Sequence, residues 1–196
     1  LAVIPLHAFA AERIEEAKAS TQHRAISFSL EGDSSLTVIM EPSALKDVVR
    51  GLIRNAVENT PDEGMIHVTF VKKEHKAFLK IQDSGVGITE ENKARIFEGL
   101  FHTKETDLYG SRNPYDFSAG GKGMDLLLAK IYGQRFGFDV LLESRRCIHI
   151  PADKDSCPGR ISLCPHCRDV RDCAAAGGSA FVVVIPVATT IKGGML

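Results

Sequence analysis

AFLKIQDSGVGI, running from Ala77 to Ile88, is the stretch whose reading decides the fold. Side chains of a strand alternate between faces, so Ala77, Leu79, Ile81 and Asp83 share one side. An acid thus emerges at the strand end on the apolar face. An unpartnered charge there is expensive, and Asp83 needs hydrogen bonds from something. The glycine pair that follows marks a tight turn.

Working outward, Met65–Val71 reads as the partner strand of Ala77–Asp83, after a break at Pro61–Gly64. Upstream of the break, a helix over 43–59 carries the clearest pattern in the chain. Leu45, Val48, Val49, Leu52, Ile53 and Ala56 form one apolar stripe, and Pro42 suits a first helical turn. Asn55 sits at the edge of that stripe, on the flank of Gly51, where it can face a cleft. Nearer the start, the spacing of Leu6, Phe9, Ala10, Ile14 and Ala17 predicts a helix over 5–19. Short strands at 25–30 and 36–40 follow, joined by the turn-rich EGDSS. Downstream come a short helix near 89–95 and a Gly/Ser/Asn-rich stretch, Glu105 to Gly121, predicted to be mobile. A helix with Met124, Leu127, Leu128 and Ile131 on its inner face is next. A strand over 138–144 and a final strand within Phe181–Ala188 complete the order. Mixed strands and helices with hairpin connections predict an α+β fold, a two-layer sandwich whose mixed sheet is covered on one face by helices.

The 196 residues suffice for one packed domain with room for a modest insertion. A formal net charge of −1 argues against a nucleic-acid surface and against a polybasic membrane patch. FVVVIPVA is too short to span a bilayer and contains Pro186, so no membrane contact is expected. The chain opens at Leu1 without the pattern of a secretory signal, and is read as a piece of a larger protein.

Four segments carry the chemistry: NAVENT at 55–60, DSGVGI at 83–88, IFEGLFHTK at 96–104 and GGKG at 120–123. Each is weak alone, and DSGVGI by itself reads equally well as an ordinary turn. Together they set an amide at a helix edge, a buried acid before a glycine turn, and glycines at a helix start. In this combination they resemble the N box, first glycine box, phenylalanine box and second glycine box of the GHKL ATP-binding superfamily. Within it they are most similar to the catalytic domains of bacterial sensor histidine kinases. The closing GGSAFVVVIP is similar to that family's last strand.

The resemblance implies a Bergerat-type ATP-binding fold, with residues 23–190 as the catalytic domain and 1–22 as a helix leading in from an upstream domain. It implies that Asp83 accepts from the adenine amino group, with Gly85, Gly87, Ile88 and Asn59 lining the site. Asn55 would offer an amide oxygen to magnesium, a hard ion that prefers oxygen. Gly121 and Gly123 would cradle phosphate oxygens at a helix N-terminus, with Lys104 and Lys122 as counter-charges. Solvated lysines are the plain alternative for those two. Phe97 and Phe101 read as packing residues. The implied reaction moves the γ-phosphoryl of ATP to a histidine on a separate helical dimerisation domain, with a response regulator downstream, in the cytoplasm. No histidine of this chain is followed by an acid, so the acceptor is expected elsewhere.

Three positions depart from the family. Gly51 stands where the ATPase branch carries a water-activating Glu. Glu58 stands where a basic residue is usual and would repel ATP unless turned to solvent. Asp125 replaces the last glycine of the second box. The alternative reading is therefore a weak or inactive nucleotide- or metal-responsive module of the same fold.

All five cysteines fall between Cys147 and Cys173, within an insertion at 147–177 that the family usually lacks. Cys157, Cys164, Cys167 and Cys173 suit a tetrahedral metal, with zinc expected ahead of an iron–sulfur cluster. Cys147 is read as a free thiol or alternate ligand, with His149 and His166 as possible substitutes. Free or redox-active thiols are the competing reading. A bound metal would either staple the insertion or sense metal or redox state.

Overall fold

The computed structural model describes residues 1–98, 113–119, 124–152 and 154–187. The chain runs β1 (Ala2–Pro5), α1 (Leu6–Ser20), β2 (Ser27–Gly32), β3 (Thr37–Met40), α2 (Pro42–Asn59), β4 (Met65–Lys73) and β5 (Lys76–Asp83). It continues through α3 (Glu90–Lys93), α4 (Asp125–Phe136), β6 (Asp139–Arg145), α5 (Val170–Ala176) and β7 (Gly178–Pro186). Among the described residues, no helix is long and apolar enough to cross a membrane.

Five strands form one mixed sheet in the order β2-β4-β5-β7-β6. Only β2 and β4 are parallel; the other neighbours are antiparallel. The two early strands do not pair with each other. β2 joins the large sheet, whereas β3 pairs with β1 in a separate two-stranded sheet.

The predicted alternation in β5 holds: Ala77, Leu79, Ile81 and Asp83 are buried. Ile66, Val68 and Phe70 of β4 and Phe181, Val183 and Ile185 of β7 share that core. Helices α1, α2 and α4 pack on β2, β5 and β6, which gives the one-faced α+β sandwich. The stripe of α2 is buried as read, from Leu45 through Ala56.

One expectation needs correction here. The inner face of α4 is Leu126, Ala129 and Gly133, while Met124, Leu128 and Ile131 are exposed. Leu126, Leu127 and Leu128 are consecutive, so apolar spacing alone could not choose a face. Helix α1 packs into the same core, with Leu6, Ala10, Ile14 and Ala17 buried in one cluster with the sheet residues.

Candidate functional site

Asp83 ends β5 inside the fold, only 4% exposed. Its Oδ1 accepts from the backbone N–H of Gly85 at 2.9 Å and of Ser179 at 3.1 Å. Among the described residues Oδ2 has no partner. Burial pushes the carboxyl up to about 7, against the pull of those two N–H donors. An acid held this way presents one oxygen in a fixed direction.

The turn after it is fixed at nearly every peptide. Ser84 N–H donates to Met65 O, Val86 N–H to Asn59 O at 3.1 Å, and Ile88 N–H to Ser144 Oγ at 2.9 Å. A Cβ on Gly87, whose φ is +65°, would land on the Arg145 carbonyl. A Cβ on Gly85 would collide with Asn59 O and lie 2.6 Å from Asp83 Oδ1. The sequence reading gave these glycines to a ligand; the structure gives them first to the chain's own backbone.

Across the turn, α2 presents Asn55 and Asn59, both half-buried. Asn59 Nδ2 donates to Asn55 O at 2.8 Å and approaches Asn55 Oδ1 at 3.3 Å. Asn55 Oδ1 thus keeps acceptor capacity, and an amide oxygen is a suitable ligand for a hard cation such as magnesium. Lys104, Gly121, Lys122, Gly123 and Phe101 lie outside the described residues. Phe97 packs half-buried against the core, as read.

Glu58 corrects a second expectation. It neither faces the phosphates from the surface nor turns to solvent: it is 5% exposed, accepts from Tyr115 N–H at 3.2 Å, and lies 3.9 Å from Arg54. Ser118 N–H donates to the Glu58 carbonyl at 2.6 Å, so residues 113–119, predicted mobile, are tied to α2. The other two departures turn out to be one feature. Asp125 pairs with Arg54, and a Cβ on Gly51 would sit 3.0 Å from the Asp125 Cβ. Glycine at 51 lets α4 approach α2 closely enough for that pair to form.

Arg24 was not singled out from sequence, yet it joins three segments. Its side chain, 5% exposed, donates to Asp62 Oδ1 at 2.6 Å, Tyr115 O at 2.7 Å and Thr60 O at 2.8 Å. Arg24→Ala should lower stability by about 2–3 kcal/mol, because Asp62 and two carbonyls lose a buried charged donor. A lower urea midpoint at unchanged slope is the expected readout; a change below about 0.5 kcal/mol would mean solvent replaces the guanidinium freely.

The cysteine segment folds as a small module between β6 and β7. Ile161, Cys167 and Ala176 form its buried centre, with Cys147, Cys164, Val170 and Cys173 packed around them. All five cysteines are free thiols. Burial pushes up the thiols of Cys157, Cys167 and Cys173, Cys167 to about 11 and Cys173 to about 12, with neighbouring cysteines adding to the shift. Among the described residues, no three His, Cys, Asp or Glu side chains surround one point as the chain stands. The tetrahedron of Cys157, Cys164, Cys167 and Cys173 expected from sequence is therefore not formed; apolar packing and thiol hydrogen bonds arrange the module instead.

Residues 40–189 match the family described as histidine kinase-, DNA gyrase B- and HSP90-like ATPases. This chain belongs to that family. Among its relatives, sporulation kinase A of Bacillus subtilis (strain 168) is 37% identical over 71 residues, 36% of this chain and 12% of that protein. The adaptive-response sensory kinase SasA of Gloeothece citriformis (strain PCC 7424) is 32% identical over 117 residues, 57% of this chain and 27% of that protein. The chain thus spans a minor part of these curated relatives. In fold it is similar to the mycobacterial sensor histidine kinase MprB, with a TM-score of 0.66 at 19% identity, covering 94% of this chain and 96% of that one. The catalytic domain of histidine kinase ThkA, in a nucleotide-free form, gives 0.66 at 21% identity, covering 94% of each.

Proposed function

We propose that this chain is the ATP-binding catalytic part of a sensor histidine kinase. It transfers the γ-phosphoryl of ATP to a histidine on a separate helical dimerisation domain, from which a response regulator takes it onward. The observation that carries this reading is Asp83: Oδ1 is locked by two backbone donors, and Oδ2 is left for the adenine amino group.

The residues divide the work by position. Asp83 and the Gly85–Ile88 turn hold the base, while Asn55 and Asn59 on α2 face the phosphates. Asn55 would hold magnesium through its amide oxygen, and the ion would supply charge neutralisation on the phosphates. Lys104, Lys122 and the glycines 121 and 123 are assigned to the triphosphate from their sequence context. Catalysis by this domain rests on positioning and on charge neutralisation. The supply of ATP places this domain in the cytoplasm.

The three departures do not count against the reading. Glu58 is occupied by Tyr115 and Arg54, and Asp125 by Arg54. Gly51 has no side chain with which to polarise water, which favours phosphotransfer over hydrolysis. Titration with a non-hydrolysable ATP analogue tests the site. Asn55→Ala should weaken binding about tenfold with magnesium, a single 1.4 kcal/mol step, and change it little without. Equal losses under both conditions would remove Asn55 as the magnesium ligand. No binding by the folded wild-type chain would overturn the reading itself.

A further inference from the structure

The sheet has a second face. In β4, β5 and β7 the residues between the core positions point away from the helices, because strand side chains alternate. Phe28, Leu30, Val140 and Leu142 pack on the core side, which puts Ser29, Leu141 and Glu143 on the outer one. Three contacts bear out the assignment. Ser29 Oγ and His67 Nδ1 lie 2.6 Å apart, Lys73 Nζ is 5.6 Å from the centre of the Phe78 ring, and Lys80 Nζ reaches Glu143 Oε2 at 3.9 Å across β7. A sheet face turned to water is ordinarily polar, but this one has an apolar centre. Val71, Phe78 and Val184 are neighbours in one row of the ladder, and Val182 and Leu141 in the next. Val71 is 46% exposed and Leu141 52%.

The charges around that centre are sorted by strand. The bases Lys73, Lys76 and Lys80 stand on β4 and β5, and the acids Asp139 and Glu143 on β6. Arg145, at the far end of β6, is turned onto the Ala175 carbonyl of its own chain. Stacked sheets pack with their strands nearly aligned. A two-fold axis along the strands, midway between β5 and β7, sets β4 of one copy over β6 of the other. It sets β5 over β7 in the same way. Row for row in the observed register, Phe78 then meets Val184, Leu141 meets Thr69, and Glu143 meets His67. Asp139 meets Val71 with Lys73 beside it. Among the described residues of these four strands, no acid faces an acid and no lysine faces a lysine.

We propose that this face binds a second copy of the chain, sheet on sheet, in a two-fold dimer with the helices outside and the two sheets within. A two-fold contact uses the same patch twice, so the patch must complement itself. An apolar centre with bases on one side and acids on the other meets that requirement. A face of one charge sign would call for a different partner. Burial of Val71, Phe78 and Leu141 supplies the affinity, and the sorted charges set the orientation. Asp83 lies on the opposite, buried face of β5, so both candidate nucleotide sites stay outside the contact. The proposal does not depend on the nucleotide reading.

The test is sedimentation equilibrium of the whole chain. It should show a monomer–dimer equilibrium with a Kd of about 1–50 μM, the weak end of the range for such contacts. Leu141→Arg sets a charge in the apolar centre and should leave only monomer over the same concentrations. Val71→Arg makes the same test should the first variant fail to fold by circular dichroism. Asp139→Lys and Lys73→Glu, both at exposed positions, should each weaken the dimer about tenfold, because the two-fold makes every contact twice. Mixing those two variants should restore association to the wild-type level. In the mixed dimer the introduced lysine at 139 meets the introduced glutamate at 73, and Asp139 of one chain meets Lys73 of the other. A wild-type chain that stays monomeric up to about 0.5 mM overturns the proposal. A dimer that both arginine variants leave intact also overturns it, since the contact would then lie elsewhere. So does a mixture that associates no more tightly than either variant alone.

Discussion

Gly87→Ala should destabilise the domain by about 3–5 kcal/mol, the sum of left-handed backbone strain and a collision with fixed backbone. The strain follows from φ of +65°, and the collision from the Arg145 carbonyl behind the residue. That carbonyl cannot retreat, because Arg145 ends β6 in register with Gly178 of β7. Gly137 supplies the control. It has φ of +74°, yet a Cβ there meets nothing within 4 Å. Gly137→Ala should therefore cost only the strain, about 1–2 kcal/mol. Urea unfolding of both variants separates the two contributions. Equal losses would mean that the turn shifts freely, contrary to the packing seen around it.

Asp83→Asn should lower affinity for the ATP analogue at least about 100-fold, some 3 kcal/mol, with the fold retained. The reason lies in which oxygen is already engaged. Gly85 and Ser179 hold Oδ1 with N–H donors, so the asparagine must keep its carbonyl there. Its NH2 then replaces Oδ2 and confronts the adenine amino group, donor against donor. A hypoxanthine nucleotide, which presents a carbonyl at that position, should recover part of the loss in Asp83→Asn. Its failure to do so would remove Asp83 as the base-reading residue. The raised pKa of about 7 adds two pH dependences. The ionised carboxylate is the acceptor, so nucleotide affinity should rise between about pH 6 and 8 in the wild type and not in the variant. Between the ordinary carboxylate range and about 7 the folded chain binds more protons than the unfolded one. Stability of the ligand-free chain should therefore fall with rising pH over that window, and the asparagine should flatten it.

Much of this site was legible because local periodicity fixed it. Asp83 shares a strand face with Ala77, Leu79 and Ile81, so its burial follows from alternation alone. Asn55 follows from the stripe of α2 in the same way. What was illegible depends on contacts between distant segments. Ser144 and Ser179 meet at 2.9 Å beside the turn, but neither carries a local signal in LLES or GGSAF. Arg24 reads as any charged residue until Asp62, Thr60 and Tyr115 converge on it. Glu58 was read as a charge near phosphates because one of its partners, the Tyr115 amide, is 57 residues away in sequence. The α4 face was lost for a different reason: three leucines in a row satisfy every helical phase at once.

The place of β7 in the sheet has a consequence for how the chain comes off the ribosome. Among the described residues the latest strand in sequence, β7, lies between β5 and β6, and β6 pairs with no other strand of the sheet. Until Gly178–Pro186 emerges, the nascent domain exposes a bare β5 edge from Lys76 to Gln82, and unpaired edges invite association with other chains. The cysteine module, emerging just before β7, is made while the half-sheet is still open.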